Sequence, residues 1–142
     1  MSPGAGEVDM SGMAVLAVLV AGIVSTFTDW LFMGVLFHDR YMRYPEVWRD
    51  GIVGGKDRAA VIHSCALGFV AAAGIIALCV IGGANTFWPA IEIAFFAWLA
   101  GPLVIMITNG FFMKLDWSIV GAHSLGYLVR FLIAGIAAAI FL

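Results

Sequence analysis

Charged residues are what this sequence has least of. Asp, Glu, Lys and Arg together make up 11% of its 142 residues, whereas a typical soluble domain contains about 25%. A soluble globular protein is therefore excluded. The net charge of −2 also excludes a strongly basic surface, so we expect no nucleic-acid partner.

Residues that bind metals or act as nucleophiles are scarce as well. The chain has three histidines and two cysteines, and none of them stands at the spacing of a metal site. A Ser-His-Asp triad drawn from Ser124, His123 and Asp29 fails, because neighbouring residues on a helix project about 100° apart. We therefore assign no catalytic residue and no metal ligand, and the sequence argues against an enzyme without excluding one.

What the chain has instead is uninterrupted apolar sequence. Hydrophobic residues make up 63% of it, and residues 10–28, 59–91 and 93–113 contain no charged side chain. About 20 apolar residues cross a bilayer as a helix. The sequence thus predicts an all-α fold, an integral membrane four-helix bundle that forms a single membrane domain over residues 1–142. The predicted spans are residues 11–37, 59–83, 88–113 and 117–142.

The basic residues predict the orientation of this bundle. Six of the seven Lys and Arg residues lie in the predicted loop 38–58 or at Lys114, on one side of the membrane. By the positive-inside rule this side is cytoplasmic, so both termini lie outside. We expect a multi-pass protein of the bacterial plasma (inner) membrane, with the amphipathic loop 38–58 lying in the inner headgroup layer.

Three charges stand inside predicted spans, where an ionisable residue is a functional hypothesis by default. Glu92 lies in the first turn of the third span, where the helix dipole favours a carboxylate. Asp29 belongs to the first span and Arg130 to the last. Side chains lean toward the N-terminus of their own helix, so in antiparallel spans these two lean toward each other, across an axial offset of about 8 Å. Three interpretations are open: a structural ion pair that neutralises itself, a site in which Arg130 holds an anion or a polar headgroup, or an Arg130 that snorkels to the interface without a partner.

Other polar residues gather around this pair in the cytoplasmic half of the predicted bundle. His123, Tyr127 and Arg130 stand at i, i+4 and i+7 and share one face of the last span. Asn109 lies about one turn from the end of the third span. Together these positions predict a polar pocket that opens toward the cytoplasm. The candidate ligand-binding residues are Asp29, Trp30, Asn109, His123, Tyr127 and Arg130.

Haem is the one cofactor that the histidines suggest. His63 and His123 lie in different spans at similar depth, and two imidazoles on facing helices can ligate a b-type haem in a four-helix bundle. The alternative is two separate histidines that form hydrogen bonds or lie at the membrane interface. We otherwise expect no cofactor.

Two local patterns carry a resemblance to a known family. One is the end of the first span, Asp29-Trp30-Leu31-Phe32 through Leu36-Phe37, and the other is residues 109–117 (NGFFMKLDW) followed by Ala122-His123 to Tyr127. In these patterns, and in the order of its spans, the chain resembles the bacterial four-span membrane proteins of domain-of-unknown-function family 1761. The resemblance implies the four-span architecture and no established activity. Asp29 stands where that family usually has an aromatic or another residue.

Three functions are compatible with this sequence. The first is binding or transport of a small amphipathic or anionic ligand in the inner-half polar pocket, with Arg130 supplying the charge. The second is a structural or accessory subunit, in a homodimer or a larger membrane complex, which needs only small-residue helix faces and an interfacial loop. The third is a haem-binding electron carrier. The lipid bilayer is a partner in all three.

Overall fold

The computed structural model describes residues 10–48 and 58–142, and this part of the chain is helical and contains no strand. Four of its helices are long and apolar enough to cross a membrane, which confirms the predicted all-α fold with four spans. The side of the membrane that the termini face stays a prediction. We number the spans in chain order: Ser11–Leu36, Arg58–Ile81, Phe87–Phe112 and Trp117–Phe141.

Two of the four spans are interrupted by a π turn. Span 1 consists of α1 and the π turn Phe32–Leu36, and span 3 consists of α4, the π turn Leu99–Leu103 and α5. Pro102 lies inside the second π turn, where its missing N–H removes one backbone hydrogen bond of a regular helix. The helices are α1 (Met10–Leu31), α2 (His38–Met42), α3 (Arg58–Ile81), α4 (Phe87–Trp98), α5 (Val104–Phe112) and α6 (Trp117–Phe141), with a 3-10 turn at Pro45–Val47.

Span 4 is the centre of the bundle, since α6 packs against α1, α3 and α4. Small side chains make these contacts close, as is usual between helices in lipid. At Gly135 a Cβ atom would stand only 2.9 Å from the carbonyl oxygen of Ala90, so α6 and α4 approach each other to backbone distance. The fully buried core alanines are Ala17, Ala21, Ala72, Ala90, Ala94, Ala134 and Ala138.

The connections lie at two opposite ends of the bundle. Residues 82–86 join spans 2 and 3 in a tight turn, in which Gly83 has a φ of 64°, a conformation that glycine adopts without steric cost. We call this the turn end. The loop end carries residues 37–48 and 113–116; residues 49–57 of the predicted interfacial loop lie outside the described residues.

Hydrogen bonds hold the loop end together and connect it to the start of α6. The indole Nε1 of Trp48 donates to the carbonyl oxygen of Tyr41 over 2.7 Å, and the hydroxyl of Tyr44 donates to Asp116 Oδ2 over 3.1 Å. Asp116 also caps α6 by accepting from the backbone N–H of Ser118 over 2.8 Å. Hydrogen bonds from the Ser118 side chain and backbone lower the pKa of Asp116, so it stays ionised as a cap.

Candidate functional site

An ion pair inside the membrane joins spans 1 and 4. Nη2 of Arg130 donates a hydrogen bond to Oδ2 of Asp29, which brings together the two charges that the sequence predicts to lean toward each other. Arg130 is only 7% exposed. A charge at this depth is stable only with a partner, so the pair fixes the relative position of α1 and α6.

Periodicity places both members of the pair on the buried faces of their helices. Ala17, Ala21 and Ser25 are fully buried at intervals of four residues on α1, and Asp29 comes at the next interval. Arg130, Ala134 and Ala138 repeat this spacing on α6. The two facing stripes are therefore made of alanine toward the turn end and become polar toward the loop end.

The pair leaves hydrogen-bonding capacity unused. A guanidinium group has five N–H donors, and Nε of Arg130 is buried without a hydrogen-bond partner. One turn from Asp29, Oγ of Ser25 is also buried without a partner. Buried polar atoms of this kind are uncommon, and an unpartnered one calls for an explanation such as a bound water, ion or ligand.

A cavity of about 80 Å³ lies beside the ion pair, between spans 1, 2 and 4. The ring of Tyr127 forms part of its wall, and Cζ of Arg130 stands 5.3 Å from the centre of that ring, within the range of a cation–π interaction. The cavity exists because span 4 presents two small residues, Ala122 and Gly126, at this level. Its other lining residues are Asp29, Phe32, Met33, Ser64, Leu67, His123, Tyr127 and Arg130.

An aromatic contact closes the cavity toward the loop end. The imidazole of His123 meets the ring of Tyr41 edge-on, with the ring centres 5.2 Å apart. Tyr41 is 4% exposed and packs in turn against Trp48 at 5.4 Å. A phenol is neutral at physiological pH, and burial raises the pKa of Tyr41 further above its ordinary value, so this side chain contributes no charge to the site.

Four of the six candidate ligand-binding residues line the cavity: Asp29, His123, Tyr127 and Arg130. Trp30 does not, because it is 59% exposed and lies against Phe27 on the outer face of α1, with the ring centres 5.6 Å apart. Asn109 is half-buried on α5 and is absent from the cavity wall. Sequence reasoning missed Ser64, whose only signal was its polarity in an apolar span.

The two span histidines have different surroundings. His63 is exposed on α3, and its Nδ1 lies 2.6 Å from the carbonyl oxygen of Ala59 in the same helix. His123 is part of the cavity wall and packs against Tyr41. In residues 10–48 and 58–142, no three side chains of His, Cys, Asp or Glu come together as metal ligands.

Comparison with known proteins gives one match. A family model described as a protein of unknown function, DUF1761, matches residues 16–139. This stretch contains every residue of the cavity wall and most of each span. No curated protein and no solved structure matches the chain.

The ion pair predicts non-additive effects of mutation on stability. Asp29→Ala or Arg130→Met alone should lower the free energy of unfolding by about 3–5 kcal/mol, because each leaves one buried charge unpaired. The double variant should recover most of this loss, since no charge then remains. Chemical unfolding in detergent micelles, analysed as a double-mutant cycle, measures the coupling.

The matched control for this cycle is Arg43→Ala, which removes an exposed arginine at the loop end. We expect it to change stability by less than about 1 kcal/mol, as is usual for an exposed charge. Losses at Asp29 and Arg130 that simply add up would contradict a coupled pair.

Proposed function

The chain belongs to the family described as a protein of unknown function, DUF1761, and for this four-span protein we propose that it binds a small anionic group inside the membrane at Arg130. One observation carries the proposal. Nε of Arg130 is buried without a partner, on a guanidinium that borders a cavity. Arginine is the residue best suited to bind carboxylates and other planar or branched anions through several N–H donors at once.

The size and wall of the cavity support a small anion or head group. Pockets for whole drug-sized ligands measure about 300–1,000 Å³, whereas this cavity measures about 80 Å³. That space suits a carboxylate. The hydroxyl of Ser64 and the imidazole of His123 lie on the same wall and offer further hydrogen bonds to its oxygens.

Charge balance adds a second part to the proposal. Asp29 and Arg130 together are neutral, so an anion bound between the spans leaves a net charge of −1 in a medium that strongly disfavours it. We propose that one proton enters with the anion and is taken up by Asp29, which then releases Arg130. The other titratable side chains around the pair are His123 and Tyr127 of α6 and, behind His123, Tyr41 of α2. From α3 the wall contains Ser64 and Leu67, neither of which carries a charge.

We also propose that the loop end faces the cytoplasm, in the plasma membrane. Exposed basic side chains support this orientation, because Arg40, Arg43, Arg58 and Lys114 all lie at the loop end of the described chain. Lys and Arg are enriched on the cytoplasmic side of membrane proteins.

Binding should depend on Arg130 and not on surface charge. The probe is ¹³C-labelled butyrate, a carboxylate with a minimal tail, and its saturable line broadening on protein in phosphatidylcholine nanodiscs reports binding. Asp29→Ala/Arg130→Met should bind at least about tenfold more weakly than the wild type, the factor expected for one lost hydrogen bond to a charged group. The double variant is chosen because it retains no unpaired buried charge.

Two comparisons keep this test decisive. Arg43→Ala, which removes an exposed arginine, should bind butyrate like the wild type, and an equal loss in this variant would point to general surface attraction instead. Unchanged binding in the double variant, with its fold intact by circular dichroism, would overturn the proposal.

The proton proposal predicts tighter butyrate binding as the pH falls. At pH values above the pKa of Asp29, the proton must be supplied on binding, so affinity should change by about tenfold per pH unit. Below that pKa the proton is already present and affinity should level off. The measurement is the butyrate titration from about pH 6 to about pH 8.5, where free carboxylates with a pKa of about 4 are ionised.

The variant Asp29→Asn assigns the proton. It removes the carboxylate and keeps the size of the side chain, so its affinity should be independent of pH and at least as high as that of the wild type at high pH. A slope that persists in Asp29→Asn, or a wild-type affinity without slope, contradicts proton uptake by Asp29.

The orientation is tested with single cysteines at the two ends, each introduced into a protein in which Cys65 and Cys79 are replaced by alanine. Arg43→Cys at the loop end should react with a membrane-impermeant maleimide only after cells are lysed. Asn85→Cys, which is exposed at the turn end, should react in intact cells. The reverse pattern would place the loop end outside.

A further inference from the structure

Ser25 is a fully buried polar residue of α1 that lies outside the cavity wall. A serine inside a helix often donates its hydroxyl to the carbonyl oxygen four residues before it, as Ser124 does to Val120 over 2.8 Å. Ser25 makes no such bond to Ala21, and within the described chain its Oγ has no hydrogen-bond partner at all. A hydroxyl buried in this way costs free energy, and a partner that arrives on ligand binding would recover it.

The side chain of Asp29 lies one turn from Ser25, on the same buried face of α1. Residues four apart on a helix have Cβ atoms about 5–6 Å apart. Side chains also lean toward the N-terminus of their helix, so the carboxyl group of Asp29 leans toward Ser25. Among the described residues only Arg130 donates a hydrogen bond to the Asp29 side chain, and it does so to Oδ2, which leaves Oδ1 available for a proton.

A protonated Asp29 needs a hydrogen-bond acceptor that the ionised form does not need. A carboxylate only accepts hydrogen bonds, whereas a protonated carboxyl group has one O–H to donate. In the ion pair Asp29 accepts from Arg130. Once it is protonated and released from Arg130, its new O–H requires a partner in a region without bulk water.

The backbone of α1 offers no free acceptor one turn away. The carbonyl oxygen of Ser25 accepts the hydroxyl of Thr28 over 2.9 Å and, as part of the regular helix, the N–H of Asp29. Both lone pairs of this carbonyl oxygen are then in use. Oγ of Ser25 is therefore the acceptor that a protonated Asp29 can reach on its own helix.

Water does not replace Asp29 as a partner for Ser25 from the turn end. The ring of Phe69 on α3 packs directly onto Gly22, less than one turn from Ser25, and closes the contact between α1 and α3 there. Ser25 itself is 0% exposed. The hydroxyl is thus enclosed on this side, and the nearest polar group on its face of α1 is the carboxyl group of Asp29.

We propose that Ser25 is a positioning residue of the anion site: when Asp29 is protonated, its O–H donates to Oγ of Ser25, and this bond holds Asp29 away from Arg130. This inference rests on the proposed binding of an anion and uptake of a proton. The O–H bond of the incoming carboxylic acid breaks, and a new O–H bond forms on the carboxylate of Asp29. The acid stays behind as a carboxylate on Arg130.

Other groups that face Asp29 come from α6 and α3. The charged or titratable ones are Arg130, Tyr127 and His123 of α6, with Tyr41 of α2 behind His123. The wall residues of α3, Ser64 and Leu67, carry no charge. The hydroxyls of Tyr127 and Ser64 lie across the cavity and are the competing acceptors that the experiment must separate from Ser25.

Ser25→Ala should affect stability and binding in opposite directions, which a merely structural residue would not do. In the unloaded protein it removes a buried hydroxyl without a partner, so the midpoint of chemical unfolding in detergent should stay the same or rise. Butyrate binding in phosphatidylcholine nanodiscs should weaken by about fivefold, the factor expected for one hydrogen bond. The change of about tenfold per pH unit should persist, because Asp29 still takes up the proton.

The matched control is Thr26→Val, which removes the neighbouring hydroxyl and keeps the shape of the side chain. Thr26 is half-buried, and its hydroxyl donates to the carbonyl oxygen of Gly22 over 2.9 Å. This bond lies within α1 and does not involve Asp29. Thr26→Val should therefore bind butyrate like the wild type.

Infrared difference spectroscopy observes the proposed bond directly. The spectrum of loaded minus unloaded protein should contain the C=O stretching band of one protonated carboxyl group, and Asp29→Asn should lack this band. Butyrate labelled with ¹³C at its carboxyl carbon has its own bands displaced, so the band can be assigned to the protein. It should change position in Ser25→Ala and stay in place in Thr26→Val.

The outcomes separate this inference from the proposed function. If binding depends on Arg130 but Ser25→Ala has wild-type affinity or an unmoved infrared band, the role of Ser25 is overturned and the anion site is retained. A Ser25→Ala protein that is destabilised or unfolded also overturns it, since the hydroxyl would then have a partner in the unloaded bundle. A band that moves in Ser64→Ala or Tyr127→Phe and not in Ser25→Ala assigns the bond to the cavity wall instead. Absence of butyrate binding in the wild type overturns both proposals.

Discussion

The ion pair between Asp29 and Arg130 is the interaction on which the arrangement of this bundle depends. In the interior of a bilayer neither charge has a partner in lipid, so each must meet the other. The contact therefore fixes both the rotation and the height of α1 against α6. Because α6 also packs against α3 and α4, the position that the pair gives to span 4 is passed on to the remaining spans.

Small residues make the rest of the packing possible and also leave the space beside the pair. Alanine and glycine allow the backbones of α6 and α4 to come close at Gly135 and Ala90. At the level of the ion pair, Ala122 and Gly126 face polar side chains that cannot collapse onto them, because Asp29 and Arg130 are held by each other. Small residues thus allow close contact between the helices toward the turn end and leave a cavity beside the ion pair in the polar half.

Much of this architecture can be read from the sequence, and the exceptions have a common cause. Long apolar stretches predict the ends of the four spans to within two residues, and the opposite tilt of side chains in antiparallel helices predicts the contact of Asp29 with Arg130. Trp30 follows Asp29 directly in the sequence, and adjacent helical residues project about 100° apart, so an inward Asp29 turns Trp30 outward. Asn109 follows a π turn, and the extra residue in such a turn rotates all later residues by about 100° relative to an uninterrupted helix. Hydrophobic patterning does not determine how each helix is rotated about its own axis, so it does not determine which residues form the wall of the cavity.

Charge neutrality connects the proposed proton uptake with the proposed binding of a carboxylate. A bilayer admits a protonated carboxylic acid far more readily than its anion, so a ligand of this kind can reach the cavity from lipid without a counter-ion. On binding, the O–H bond of the acid breaks and the proton passes to the carboxylate of Asp29, while Arg130 exchanges Asp29 for the carboxylate of the ligand. After binding, the site holds protonated Asp29, the cation Arg130 and the carboxylate anion of the ligand. Its net charge is zero, as it was in the ion pair before the neutral acid entered. In this scheme the ion pair keeps a carboxylate-binding arginine inside the membrane without net charge, which a lone arginine at the same depth would not achieve.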